Sequence, residues 1–282
     1  MADAAAIAEA VGRACRDAAV TLRPDVLAAL RAAAASEPSG RGRRVLRQLI
    51  ENAEVAAADR VPLCQDTGTV WALIELGAEE RLGGDLQARV DAEVARAFRQ
   101  AGLRASIVRD AAFDRANTGD NTPAFLDVVA RPGRGATVHV MLKGGGSDNS
   151  SALSMLEPAE GLAGVRRFVV ETVRAKASGA CPPLVVGVGV GGTFDRVAGL
   201  AKKALLRPLG TSPTGPHARE TEALEAELLD AVNATGIGPG GLGGRSTALG
   251  VSVLSAPCHI AALPVAVNVG CSAVRSVTLE VA

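Results

Sequence analysis

The sequence predicts an α+β fold: a helical N-terminal layer over about residues 1–60, then a mixed α/β body with several β-strands. Three observations point there. The opening part of the chain is rich in Ala, Leu and Val, with charges at helical intervals. From Ala124 onward, apolar runs of strand length alternate with helical stretches. Hydrophobic residues make up 48% of 282 positions, enough for a sizeable core without disulfides.

The elements follow in order. Ala4 to Leu22, Pro24 to Ala35 and Gly42 to Ala58 have helical periodicity, and Pro24-Asp25 suits a first helical turn. Cys64 opens a turn before a strand over Thr69 to Leu76, and Gly84 to Ala101 is helical. Ala124 to Ala130 and Thr137 to Leu142 are strands, with Pro132-Gly133-Arg134-Gly135 expected as a hairpin turn between them. Helices are expected over Glu160 to Ser178, Thr193 to Leu206 and His217 to Thr235. Strands are expected over Leu184 to Val190, Ala248 to Leu254, Pro264 to Val269 and Val274 to Val281. No repeat, low-complexity tract or long linker interrupts the chain, so residues 1–282 are expected to form a single domain.

Composition excludes several classes of function. Lys plus Arg and Asp plus Glu are equal at 30 each, which gives no broad pull toward nucleic acid or an anionic membrane. Aromatics are 2% and Tyr is absent, which argues against base-stacking surfaces. The N-terminal segment carries Asp3, Glu9, Arg13, Arg16 and Asp17, a pattern of an amphipathic helix and not of a signal peptide. No stretch approaches the roughly 20 apolar residues of a membrane span. Five cysteines without regular spacing fit a reduced, cytoplasmic compartment better than a disulfide framework.

The densest chemistry lies in Pro62-Leu63-Cys64-Gln65-Asp66-Thr67-Gly68-Thr69, where a thiol, an amide, a carboxylate and a hydroxyl are consecutive. Burying such a run unpaired is costly, so it reads as a site and not as a core turn. Cys181, before Pro182-Pro183, and Cys271, after the strand ending at Gly270, also stand beside apolar runs. The three cysteines read as ligands of an iron–sulfur cluster. Zinc is the competing reading for Cys258, His259 and Cys271, but the paired C-x₂₋₄-C spacing of structural zinc is missing. Cys15 lies in the amphipathic N-terminal pattern and is expected to be structural.

Two glycine patterns invite another reading. Gly187, Gly189 and Gly192 match G-x-G-x-x-G between a strand and a helix, which suggests a nucleotide-dependent oxidoreductase. No strand ending in an acidic residue follows at about 20 residues, and the second match, Gly236, Gly238 and Gly241, follows a helix. The Lys143-Gly144-Gly145-Gly146-Ser147 turn can expose backbone N–H groups to a carboxylate or sulfide. Asn117-Thr118-Gly119-Asp120-Asn121 is a capped turn or part of a site wall, and Arg104 offers a guanidinium that can grip a carboxylate bidentately.

Taken together, these runs resemble the class I, iron–sulfur-dependent fumarate hydratases and the related tartrate dehydratases, in the form of a separate α subunit. The matching stretches are Cys64 to Gly68, Asn117 to Asn121, Lys143 to Ser147, Cys181 to Pro183, Ala204 to Gly210, and His259 through Cys271 to Arg275. The likeness covers essentially the whole chain, in order. It implies a [4Fe-4S] cluster held by Cys64, Cys181 and Cys271, with one iron not ligated by cysteine. It implies substrate contacts from Gln65, Asp66, Arg104, Gly144, Gly145 and Gly146, with Asp66 as an acid-base group. Cys258 occupies a place where the family has no cysteine ligand.

The implied reaction is reversible hydration of fumarate to L-malate, with dehydration of L-tartrate as the alternative. The Lys143 to Ser147 form looks more like the fumarate enzymes. No Lys-Gly-Thr occurs in the chain. The resemblance therefore implies a partner β subunit that carries that motif and completes the site for a small dicarboxylate, in an α2β2 or similar hetero-oligomer. A non-catalytic metal-binding subunit is the remaining reading.

Overall fold

The computed structural model describes residues 3–282. Its helices are α1 (Ala4–Val20), α2 (Pro24–Ser36), α3 (Gly40–Asp59), α4 (Leu86–Gln100), α5 (Gly145–Asn149), α6 (Gly161–Lys176), α7 (Phe194–Ala204) and α8 (Ala218–Asn233). Its strands are β1 (Thr69–Gly77), β2 (Phe125–Arg131), β3 (Ala136–Lys143), β4 (Ala152–Leu156), β5 (Leu184–Gly192), β6 (Ala248–Cys258), β7 (Leu263–Gly270) and β8 (Arg275–Val281). The α+β class holds: helices first, then mixed sheets. The chain divides into two compact units, one from the segments ending at Arg23, Asn52–Gly145 and Ala273–Ala282, the other from Pro24–Glu51 and Gly146–Ser272.

In the first unit a four-stranded sheet runs in the order β2-β1-β3-β8. One face is closed by α1 and α4, whose Ile7, Val11, Ala14, Val94 and Phe98 share a core with Val70, Ala72, Ile74, Val138 and Val140. The even spacing of those strand residues is the period of two that puts alternate side chains on one face. Asp85 caps α4 by accepting from the Ala88 amide at 3.0 Å, which places the start of the helix just after the predicted Gly84.

The Pro132 to Gly135 turn does not join neighbouring strands. β1 lies between β2 and β3, parallel to the first and antiparallel to the second. The turn is instead tied to the end of β1, with Gly77 donating to Gly135 O at 2.8 Å and Ala78 to Arg131 O at 2.8 Å. The expected hairpin is absent because β1 occupies the place in the sheet between β2 and β3.

In the second unit the sheet order is β4-β7-β5-β6. α6 and α8 pack on one face, where Val165, Val169, Leu228 and Val232 meet Val186, Val188, Val253 and Val267. α7 covers the other face through Val197 and Ala201, which meet Ala266. β4 and the short α5 went unpredicted; neither is long enough for a clear periodic signal. β6 runs on to Cys258 through Pro257, which an edge strand tolerates because one side of it needs no ladder donor.

The β5 glycines have a packing role. A Cβ on Gly187 would stand 2.2 Å from Ala201 O, and one on Gly189 would stand 2.4 Å from Val197 O, so α7 can lie this close only over glycine. β5 is parallel to β6 but antiparallel to β7, unlike the parallel sheet of a dinucleotide fold. Backbone packing thus accounts for the G-x-G-x-x-G match. Among the described residues, no helix is long and apolar enough to cross a membrane.

Candidate functional site

The polar run after α3 forms a loop pinned at both ends in the first unit. Leu63 donates to Ala19 O at 2.9 Å, and Asn52 Nδ2 donates to Leu63 O at 3.0 Å. At the far end, Thr67 Oγ1 donates to Arg104 O at 2.5 Å. Gly68 has φ +82° and leaves only 2.7 Å between a Cβ and the Lys143 carbonyl, so both conformation and contact require glycine there.

Asn121 braces this loop from the Asn117 to Asn121 segment. It is fully buried, donates through Nδ2 to Gly68 O at 3.1 Å and accepts through Oδ1 from the Ser106 amide at 2.8 Å. That segment, expected as a capped turn or part of a site wall, thus serves as a brace for the loop that carries Asp66.

Asp66 is held on every side. Its Oδ1 accepts from the Gly68 amide at 3.1 Å and from Arg104 Nη2 at 3.3 Å. Its Oδ2 accepts from the Gly145 amide at 2.8 Å. Its main-chain carbonyl accepts from Arg275 Nη2 at 2.8 Å. The carboxylate nonetheless keeps a quarter of its surface, and Arg104 is more exposed still, at 56%.

In the glycine turn the Gly145 N–H is given to the Asp66 carboxylate. Gly144 contributes by having no side chain, since a Cβ there would stand 3.2 Å from Asp66 Oδ2 and 3.7 Å from Arg275 Nη2. Gly146 belongs to the second unit, where a Cβ would meet Gly179 O at 3.1 Å. Cys64, half-buried in the first unit, donates from Sγ to Gln65 Oε1 at 3.2 Å, and Gln65 is exposed.

The second unit brings Cys181 and Cys271 to one place. Cys181 lies just ahead of β5 with φ +53°, and Cys271 directly follows β7. Because β5 and β7 are antiparallel with Val185 opposite Gly270, the start of one strand meets the end of the other. The Ser272 amide then donates to Cys181 O at 3.2 Å.

Cys258 is opposite Gly192 at the other end of β5. Seven residues of strand, roughly 23 Å at about 3.3 Å per residue, separate that end from the other two cysteines. Cys258 and His259 therefore cannot join Cys271 around one zinc ion. Among the described residues, no group of three or more His, Cys, Asp or Glu is placed to hold a single metal ion.

Cys15 is fully buried in α1, and burial pushes its thiol up to about 12, as expected of a structural cysteine. A cleft of about 810 Å³ in the second unit, lined by Arg207, Thr211, His217 and Ser255 among others, contains none of the predicted site residues. Sequence reasoning overlooked Arg275 as part of the Asp66 environment, although it closes the matched stretch that runs on from Cys271.

Comparison with known proteins bears on the same residues. Residues 8–280 match the family model described as Fumarate hydratase (Fumerase). The chain is 38% identical over 266 residues to the "Putative L(+)-tartrate dehydratase subunit alpha" of Methanocaldococcus jannaschii, covering 92% of each chain. It is 36% identical over 262 residues to the L(+)-tartrate dehydratase subunit alpha of Escherichia coli strain K12, covering 91% of this chain and 84% of that relative. The Shigella sonnei protein of the same name gives the same figures, 36% over 262 residues. The matched span takes in the Asp66 loop, the glycine turn and all three cysteines, and the chain belongs to the fumarate hydratase (Fumerase) family of hydro-lyases.

Proposed function

We propose that the chain is the α subunit of an iron–sulfur hydro-lyase whose substrate is L(+)-tartrate, with its active site completed by a separate β subunit. The observation that carries the chemistry is the Asp66 carboxylate, fixed by Gly68, Gly145 and Arg104 yet still partly open, two residues from Cys64. The relatives' names carry the choice of substrate, because three of them specify tartrate. That reverses the weight given to the Lys143 to Ser147 turn, which favoured fumarate. Fumarate hydration stays as the second reading because the family model bears that name.

The donor set suits a cluster. Cys64 and Cys271 are half-buried and Cys181 is exposed, and each thiol stands in a loop at the edge of an element. These three would hold the [4Fe-4S] group, which when bound supplies a Lewis-acidic iron for a substrate hydroxyl. Loss of water from tartrate breaks a C–H bond next to one carboxylate and the C–O bond on the neighbouring carbon. Asp66 handles a proton of that reaction at one of its carboxylate oxygens. Arg104, which spends one nitrogen on Asp66, turns its exposed remainder toward a substrate carboxylate. Gln65, beside the Cys64 thiol, offers an amide to the substrate's polar groups. Gly144 leaves the space beside Asp66 clear.

A dicarboxylate carries two negative charges, and Arg104 answers one of them. The second cationic set falls to the β subunit, which the relatives' designation as alpha subunits supports. The test is turnover by the anaerobically prepared complex with its β partner. Tartrate should exceed L-malate, the hydrated form of fumarate, in kcat/KM for dehydration by at least about tenfold, because a site built to bind the extra hydroxyl rejects a substrate without it. The reverse preference would establish the fumarate reading, and turnover of neither would refute both.

A further inference from the structure

Arg275, the first residue of β8, is 1% exposed and heads the largest fully buried side chains of the described residues. It is a guanidinium with five N–H donors. Only one hydrogen bond uses them, from Nη2 to the Asp66 carbonyl at 2.8 Å. Nε and Nη1 are buried with no partner. Burying a guanidinium with two of its nitrogens left without hydrogen-bond partners works against stability. An apolar side chain of similar length would pack in the same place at less cost. The stabilisation of the fold therefore does not explain an arginine here, and its one bond goes to the residue proposed to move a proton.

The surroundings fit that reading. Three donors hold the Asp66 carboxylate, from Gly68, Gly145 and Arg104, but they do not hold the main chain that bears it. Arg275 does so through its bond to the Asp66 carbonyl. β8 pairs with β3 from Ala136 opposite Val281 to Leu142 opposite Arg275. Lys143 ends β3 and Gly144 follows it directly, so the glycine turn and the arginine are carried by the same pair of strands.

We propose that Arg275 is a positioning residue: its hydrogen bond to the Asp66 carbonyl sets the carboxylate where proton transfer requires it. This rests on Asp66 being the proton-handling group of the proposed reaction. Arg275 touches no reacting atom and acts only through Asp66.

The test compares Arg275→Lys with Arg275→Met in the complete, cluster-loaded complex with its β partner, by steady-state kinetics and by amide hydrogen exchange. Both variants keep a long side chain, but only lysine keeps a charged donor that can reach the carbonyl. In Arg275→Met, kcat should fall about a hundredfold with KM within about twofold, as expected when a catalytic group is misplaced by an ångström or so. Arg275→Lys should recover most of that loss. Iron content should be unchanged in both. The Gly68 and Gly145 amides should exchange at least about tenfold faster in Arg275→Met, while amides of the β3–β8 ladder keep their rates.

Equal loss in both variants, with faster exchange across the β3–β8 ladder, would make Arg275 a plain structural residue and overturn the proposal. Wild-type kcat and exchange in Arg275→Met would overturn it as well. Failure of the underlying reading looks different: Asp66→Asn would then keep its turnover, whatever Arg275 does to the two glycine amides.

Discussion

The Gly145 amide donates to Asp66 Oδ2 at 2.8 Å across 79 residues of sequence. The bond, with those from Gly68 and Arg104, leaves the carboxylate little freedom to turn. Asp66→Asn keeps the size of the side chain but removes its ability to accept a proton, and its NH2 would face one of these donors. Turnover should drop at least about a hundredfold while iron and sulfide content stay at the wild-type level. Near-normal turnover in fully loaded enzyme would remove Asp66 from the mechanism.

Gly144 tests the same carboxylate from its open side. A methyl group there would stand 3.2 Å from Asp66 Oδ2, closer than ordinary packing allows. Gly144 does not need a left-handed backbone, so Gly144→Ala should fold and keep its melting temperature within a few degrees. Its kcat should nonetheless fall by about tenfold or more, since the added atom pushes the carboxylate aside. An active Gly144→Ala enzyme would show that the space beside Oδ2 is not used.

The cysteines separate by place in the fold. Cys181 and Cys271 meet at one end of β5 and Cys258 stands at the other. Anaerobically prepared protein should carry about four irons and four sulfides. Cys64→Ser, Cys181→Ser and Cys271→Ser should each lose the cluster, read as loss of the visible thiolate-to-iron absorbance. Cys15→Ser and Cys258→Ser should keep it. Loss of iron on changing Cys258 alone would mean that the ligand set is misassigned.

Glu37 gives a prediction about acid stability, independent of the chemistry. It is 1% exposed and accepts from the amides of Arg245 at 2.9 Å and Ser246 at 2.8 Å, and from that of Ser39 at 3.2 Å. Burial alone would raise its pKa, but these hydrogen bonds prevail and hold it below the ordinary carboxylate value of 4.5. A carboxyl whose folded pKa is depressed stabilises the fold above its unfolded pKa and loses that contribution as pH falls through the folded value. Glu37→Gln should therefore be less stable by about 2 kcal/mol near neutral pH. The difference from wild type should shrink below about pH 4, as denaturant melts at a series of pH values would show. A pH-independent difference would mean that Glu37 acts through shape and not through charge.

Local chemistry was legible in the sequence by itself. Apolar periodicity located most helices and strands because side-chain spacing repeats within a few residues. The run from Cys64 to Thr69 declared a site because consecutive polar groups are expensive to bury without partners. Gly68 is of the same kind: its conformation is a property of the residue and its turn.

Only the tertiary structure decided which distant groups meet. Strand order is chosen by how sheet faces are buried, and no short window of sequence contains it. So β1 came to lie between β2 and β3, and the expected hairpin was lost. Strand direction put Cys181 beside the segment after Cys271 and sent Cys258 to the far end. The glycines of β5 turned out to be spaces for α7. Arg275 reaches Asp66 across 209 residues because β8 pairs with β3. Propensity and polarity act within a few residues of chain, whereas a hydrogen bond between remote segments exists only once the sheet that carries both has formed.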